Sequence, residues 1–122
     1  METKAFSARV SFTPVAPSNT AVIELQGDIN ISSEAQLNAA YIEAEQHNSP
    51  IVLLNFSKVN YINSTGIALI VSLLARARKS RRQLVVAGLS PHYHEIFTLT
   101  RLSDFMQIYA DEGAALAANT KA

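Results

Sequence analysis

The chain has 122 residues, 48% of them hydrophobic and 16% charged, with ten basic residues balanced by ten acidic ones and no cysteine. This length suits one domain, residues 1–122, with a core of its own; the missing cysteines exclude a disulfide framework, a thiolate zinc site and a cysteine nucleophile. Zero net charge removes the strongly basic face of a general nucleic-acid binder, and the longest apolar stretch, Ile67 to Ala75, falls far short of the roughly 20 residues a membrane span needs.

The amino terminus, METKAFSARVSF, lacks the apolar stretch of a secretory signal, so the expected location is the cytoplasm. Ala8, Val10 and Phe12 alternate with Arg9, Ser11 and Thr13, the period of a half-buried strand. Pro14, Pro17, Ser18 and Asn19 read as a turn, and a second strand over Ala21 to Leu25 ends at Gly27, giving an antiparallel hairpin. A helix is expected over Ser32–Gln46, with Ser32 or Ser33 as its cap and Leu37, Ala40, Tyr41 and Ala44 on one face. Asn48-Ser49-Pro50 stops it.

Ile51-Val52-Leu53-Leu54 is a continuous apolar run, as expected of a strand covered on both faces. A helix over Ser64–Ser80 follows, then a buried strand, Leu84 to Ala87, ended by Gly88. Ser90-Pro91 opens a third helix running to Leu99, because proline fits the first helical position. Gln107 to Ala110 is a short strand and Asp111 to Ala118 a final alanine-rich helix. The order β-β-α-β-α-β-α-β-α predicts an α/β domain: a mixed sheet, antiparallel at the hairpin and parallel beyond it, packed with four helices.

Asn63-Ser64-Thr65-Gly66 lies between the Ile51 strand and the Ile67 helix, so Asn63 or Ser64 is the expected N-cap. A helix N-terminus presents unpaired backbone N–H groups and about half a positive charge, which stabilise an anion. Gly66 lets the backbone approach closely. On spacing alone, Ser64 and Thr65 are equally ordinary capping residues.

The segment from Phe56 through Asn63-Ser64-Thr65-Gly66-Ile67-Ala68 resembles the signature of STAS domains, the anti-sigma-factor antagonists, in which Asp-Ser-(Ser/Thr)-Gly-(Leu/Ile) opens a helix. Gly27-Asp28-Ile29-Asn30 resembles the Gly-(Glu/Asp)-(Leu/Ile)-Asp found before the first helix of that family, and Leu84 through Pro91 to Phe97 its strand, Ser-Pro turn and third helix. The resemblance covers nearly the whole chain. It implies a switch: a partner serine kinase of the GHKL type, which is also the anti-sigma factor, phosphorylates Ser64, with Thr65 the second acceptor. It also implies that Asp28, Asn30, Asn63, Thr65 and Gly66 surround the partner-binding loop. The chain departs from the pattern at two positions, where Asn63 and Asn30 replace family aspartates that could orient the hydroxyl or hold a kinase's magnesium.

Other features read as structural. Arg76, Arg78, Lys79, Arg81 and Arg82 hold half the basic residues, as expected of a solvated helix end or a patch for an acidic partner. His92 and His94, two apart on a helix, point about 200° apart and cannot share a metal. His47 has no nucleophile beside it, and Asp111 and Glu112 suit a helix start. No cofactor, no metal and no enzymatic activity are expected. The alternatives to the switch are a constitutive STAS-like subunit, partnering a transporter ATPase or other STAS proteins, and a nucleotide binder.

Overall fold

A computed structural model describes residues 5–13 and 20–119, so the proposed Pro14–Asn19 turn lies outside the described residues. Strand β1 (Ser7–Thr13) pairs antiparallel with β2 (Thr20–Ile29), with Ala8 opposite Leu25 and Val10 opposite Ile23. Helix α1 (Glu34–Gln46) leads to β3 (Ile51–Ile62), α2 (Ser64–Lys79) to β4 (Gln83–Ala87), α3 (Pro91–Leu99) to β5 (Gln107–Tyr109), and α4 (Glu112–Asn119) follows. The sheet order is β1-β2-β3-β4-β5, with every pairing after the hairpin parallel.

Because the parallel strands run in sequence order, crossovers of one hand put α1, α2 and α3 on one face of the sheet. Ile23, Leu25, Val52, Leu54, Phe56, Leu84 and Val86 point into that layer and meet Leu37 and Tyr41 of α1, Ile70 and Leu73 of α2 and Phe97 of α3. Alternate residues Val22, Leu53, Val85 and Ala87 face the other side, where Ala115 of α4 covers them. Double cover explains why these strands lack alternation in the sequence.

Two boundaries differ from the sequence expectation. Strand β2 continues through Gly27, which takes φ 93°, to Ile29, and β3 continues from Leu54 to Ile62. Beyond Asn55, β3 loses β4, which ends at Ala87, and pairs with β2 alone. The result is a two-stranded arm whose residues Ser57, Lys58, Asn60 and Tyr61 are exposed, so no apolar run marks it. The β2–β3 register shifts once between Glu24 and Gln26 and again between Gly27 and Asp28, each time taking in one extra residue of β3. Phe56, Val59 and Ile62 therefore all pack toward the helical layer although they are three apart.

The first cap also differs. Ser33 stands at the N-cap position of α1, as expected, but its side chain makes no capping hydrogen bond to that helix. Asn30 instead caps a single 3-10 turn, Ile31–Ser33, that precedes the helix: its Oδ1 accepts from the Ser32 amide at 2.9 Å, and its own amide donates to Ser33 Oγ at 3.0 Å. A side chain that reaches its own backbone favours such a turn over helix.

Candidate functional site

The arm places the Asn63–Gly66 segment at the carboxyl ends of β2 and β3. Asn63 is extended (φ −88°, ψ −178°), and its Oδ1 accepts from the Gly66 amide at 2.8 Å, making it the N-cap of α2. Ser64 is therefore the first helical residue and not the cap. Its side chain is exposed, Thr65 is half-buried and Gly66 is buried. The amides of Ser64 and Thr65, the first two of the helix, have no acceptor within it, and the dipole of a 16-residue helix ends there.

Gly66 serves a packing purpose. A Cβ built on it would lie 2.4 Å from the Ile29 carbonyl oxygen and 2.8 Å from Ile62 Cγ2. Only a residue without a side chain lets the first turn of α2 rest on the end of β2. The Asn63 amide donates to that same Ile29 carbonyl at 3.2 Å, so the turn is held to β2 by a hydrogen bond as well as by contact. Asn30 follows Ile29 directly, and both asparagines thus flank the site. Each uses its side-chain oxygen on its own segment's backbone, a capping job asparagine does as well as aspartate.

Asp28 stands further back. It is half-buried in β2, in register with Tyr61, and its carbonyl accepts from Ser33 Oγ at 3.2 Å. Two exposed apolar side chains lie on the segments that meet at the site, Ile31 after Asn30 and Tyr61 before Asn63. Polar side chains beside exposed apolar ones, with none of these residues lining the pockets at Val71, at Ala8 or at Gln83, suit docking of another protein better than enclosure of a small molecule.

Tyr93 is a residue the sequence reading passed over between its two histidines. Its ring is buried under α3, and its hydroxyl accepts from the Ile62 amide at 2.9 Å and donates to the Ile62 carbonyl at 3.4 Å. At Ile62, where β3 ends and the loop begins, α3 therefore satisfies both backbone groups. Its four-residue spacing from Phe97, on one apolar stripe, was the available signal.

The remaining candidates lie apart. His92 and His94 are both exposed, and His47 stacks on Phe12 with ring centroids 4.0 Å apart. Asp111 accepts from the Ala114 amide at 2.8 Å as the start of α4, and Glu112 accepts from Asn55 Nδ2 at 2.9 Å. The basic cluster occupies the other end of α2, about 22 Å from Ser64 along the helix. Among the described residues no group of three or more His, Asp or Glu could hold a metal ion, and no helix is long and apolar enough to cross a membrane.

Comparison with known proteins gives a consistent result. The family model described as "Mlab, STAS domain" matches residues 12–108. An anti-sigma-B factor antagonist of Staphylococcus epidermidis is 24% identical over 86 residues, covering 70% of this chain and 80% of that protein. Among solved structures, an anti-sigma factor antagonist from Mycobacterium paratuberculosis superposes with a TM-score of 0.80 at 18% identity, covering 96% of each chain. The Bacillus cell fate determinant SpoIIAA in its phosphorylated form gives a TM-score of 0.66 at 21% identity, over 90% of this chain and 98% of that one.

Proposed function

Because the chain belongs to the STAS domain family, we propose that it is a protein–protein interaction module of the anti-sigma-factor-antagonist type, switched at Ser64. Unmodified, it binds a partner serine kinase that doubles as the anti-sigma factor, and the phosphorylated form is released. The observation that carries the proposal is the exposure of Ser64 on the first turn of α2, beside exposed Tyr61 and Ile31. A solved relative of the same fold exists in a phosphorylated form.

In the transfer, the Ser64 hydroxyl attacks the γ-phosphorus of the kinase's bound ATP. The hydroxyl proton leaves and ADP departs. The product carries about −1.5 to −2 charges and three acceptor oxygens where the partner had met a neutral hydroxyl. Repulsion and desolvation totalling about 3 kcal/mol weaken the complex roughly hundredfold. No change of fold is needed, because the Asn63 cap and the Gly66 contact hold the turn without using the Ser64 side chain.

A second reading rests on the two asparagines. With amides at positions 30 and 63, the loop offers a kinase's magnesium fewer carboxylates, which favours a constitutive subunit docked on a transporter ATPase or on another STAS protein. One experiment separates the two. The purified chain is incubated with a GHKL-type serine kinase from the same genome and MgATP, and phosphate is located by mass spectrometry. The switch requires one phosphate on the wild type, none on Ser64→Ala, retained labelling of Thr65→Ala, and roughly hundredfold weaker kinase binding by Ser64→Glu. Labelling of Ser64→Ala at the wild-type level, or unchanged binding by Ser64→Glu, refutes it.

A further inference from the structure

At the far end of α2 from Ser64 the surface opens into a groove of about 730 Å³. Val71, Leu74 and Phe105 line it, with Val71 and Phe105 exposed, and Arg78, Lys79 and Arg81 stand around it. We propose that this groove docks an acidic amphipathic segment of a partner protein, with an apolar side chain over Val71 and Phe105 and carboxylates on the three cations.

The five basic residues do not behave alike. Arg76 is committed to Glu45, with its Nη2 2.6 Å from Oε1 and its Nε 3.1 Å from Oε2. Arg82 is half-buried and donates to the backbone carbonyls of Ser49 and Glu45 at 3.1 and 3.2 Å, so it ties the end of α2 to the end of α1. Arg78, Lys79 and Arg81 are exposed, and no ion pair joins them to an acidic side chain among the described residues. The nearby Asp104 carboxylate is taken by Arg101 at 2.8 Å. The groove therefore keeps three positive charges beside an apolar floor, in a chain whose net charge is zero.

That combination selects the occupant. A purely apolar partner would leave the cations desolvated at its edge, which is costly. A nucleic acid would be held through its phosphates by the cations alone and would leave the apolar floor of Val71, Leu74 and Phe105 unmatched. A protein segment with leucines on one face and glutamates along their flanks satisfies both the floor and the rim. Arg81 takes a φ of 61° in the turn that closes α2, where its amide donates to the Arg78 carbonyl at 3.1 Å.

This surface is independent of Ser64, and the test keeps the two apart. The full chain, isotopically labelled for NMR, is titrated with a helical peptide of about four turns carrying leucines at i, i+3 and i+7 with flanking glutamates. The expected result is shifts at residues 71–82 and at Phe105, binding at least tenfold weaker for the same peptide with glutamine in place of glutamate, and further weakening as salt is raised. Ser64→Glu leaves this binding unchanged, whereas Arg78→Glu with Lys79→Glu abolishes it. Arg81→Asn, which tolerates a positive φ, weakens it severalfold and guards against misfolding of the double variant. The proposal is overturned if the glutamine peptide binds equally well. Absence of shifts, or shifts confined elsewhere, overturns it too, as does a single-stranded oligonucleotide or an anionic phospholipid vesicle occupying the groove where the acidic peptide does not.

Discussion

Replacing Gly66 by alanine tests whether the hydroxyl-bearing turn is held by contact with β2. The added Cβ would stand 2.4 Å from the Ile29 carbonyl oxygen, where ordinary contact begins near 3.4 Å. The start of α2 must then retreat by about 1 Å, or β2 must bend. Overpacking of this kind costs about 1–3 kcal/mol. Retreat also lengthens the 3.2 Å bond from the Asn63 amide to Ile29 beyond hydrogen-bonding range, a loss of about 1 kcal/mol. Alanine's better helix propensity returns at most about 1 kcal/mol. The net destabilisation is about 1–3 kcal/mol, and for a chain of this length about 1 kcal/mol lowers the melting temperature by about 4 °C. Thermal melts followed by circular dichroism should therefore show Gly66→Ala melting about 4–12 °C below the wild type. Gly113→Ala is the internal control: it too sits in the first turn of a helix, but its Cβ meets only Asp111 Oδ1, at 3.4 Å, so it should melt at or slightly above the wild type. Equal melting temperatures for the two variants would refute the packing argument.

Two further outcomes follow from side chains bound to backbone or to burial. Tyr93→Phe leaves the buried Ile62 amide without its acceptor, which should cost about 1–3 kcal/mol in a chemical melt and speed hydrogen exchange at that amide; unchanged exchange would show that α3 does not hold the end of β3. Burial, reinforced by the Glu45 carboxylate, raises the pKa of the Tyr41 phenol above its ordinary value of 10.0. The folded state therefore keeps a proton that the unfolded chain begins to lose near pH 10, so Tyr41 contributes fully to stability below that pH and loses its contribution as pH rises through its folded pKa. Melts taken across the alkaline range should show a steeper loss of stability for the wild type than for Tyr41→Phe, and parallel curves would contradict this account.

Much of the fold was legible because its strands and helices carry strong periodic signals. The doubly covered runs Ile51–Leu54 and Leu84–Ala87 and the caps at Asn63 and Ser90 appear where local chemistry demands them. The arm was not legible. Phe56, Val59 and Ile62 are out of step with the two-residue period of a strand, because each register shift moves the inward face by one residue. The first cap went to the serines because their hydroxyls fit the usual rule, whereas Asn30 gains its advantage from a turn that only the end of β2 sets up. Within the site, the Asn63–Gly66 segment could be found from residue types at a strand–helix junction. The Ile29 carbonyl and the Tyr93 hydroxyl could not, since a backbone atom has no sequence signature and Tyr93 lies 31 residues from its partner.

The irregular ladder also governs how this architecture tolerates changes in length. Asn60 is the residue that β3 holds in excess between Gly27–Val59 and Asp28–Tyr61. Losing it would leave Val59 and Ile62 inward with Tyr61 outward, whereas removing a residue from the regular stretch before Asn55 would invert everything downstream. The bulge thus works as a tolerated gap in the strand's reading frame, through which the tip can shorten by one step while the serine keeps its aim.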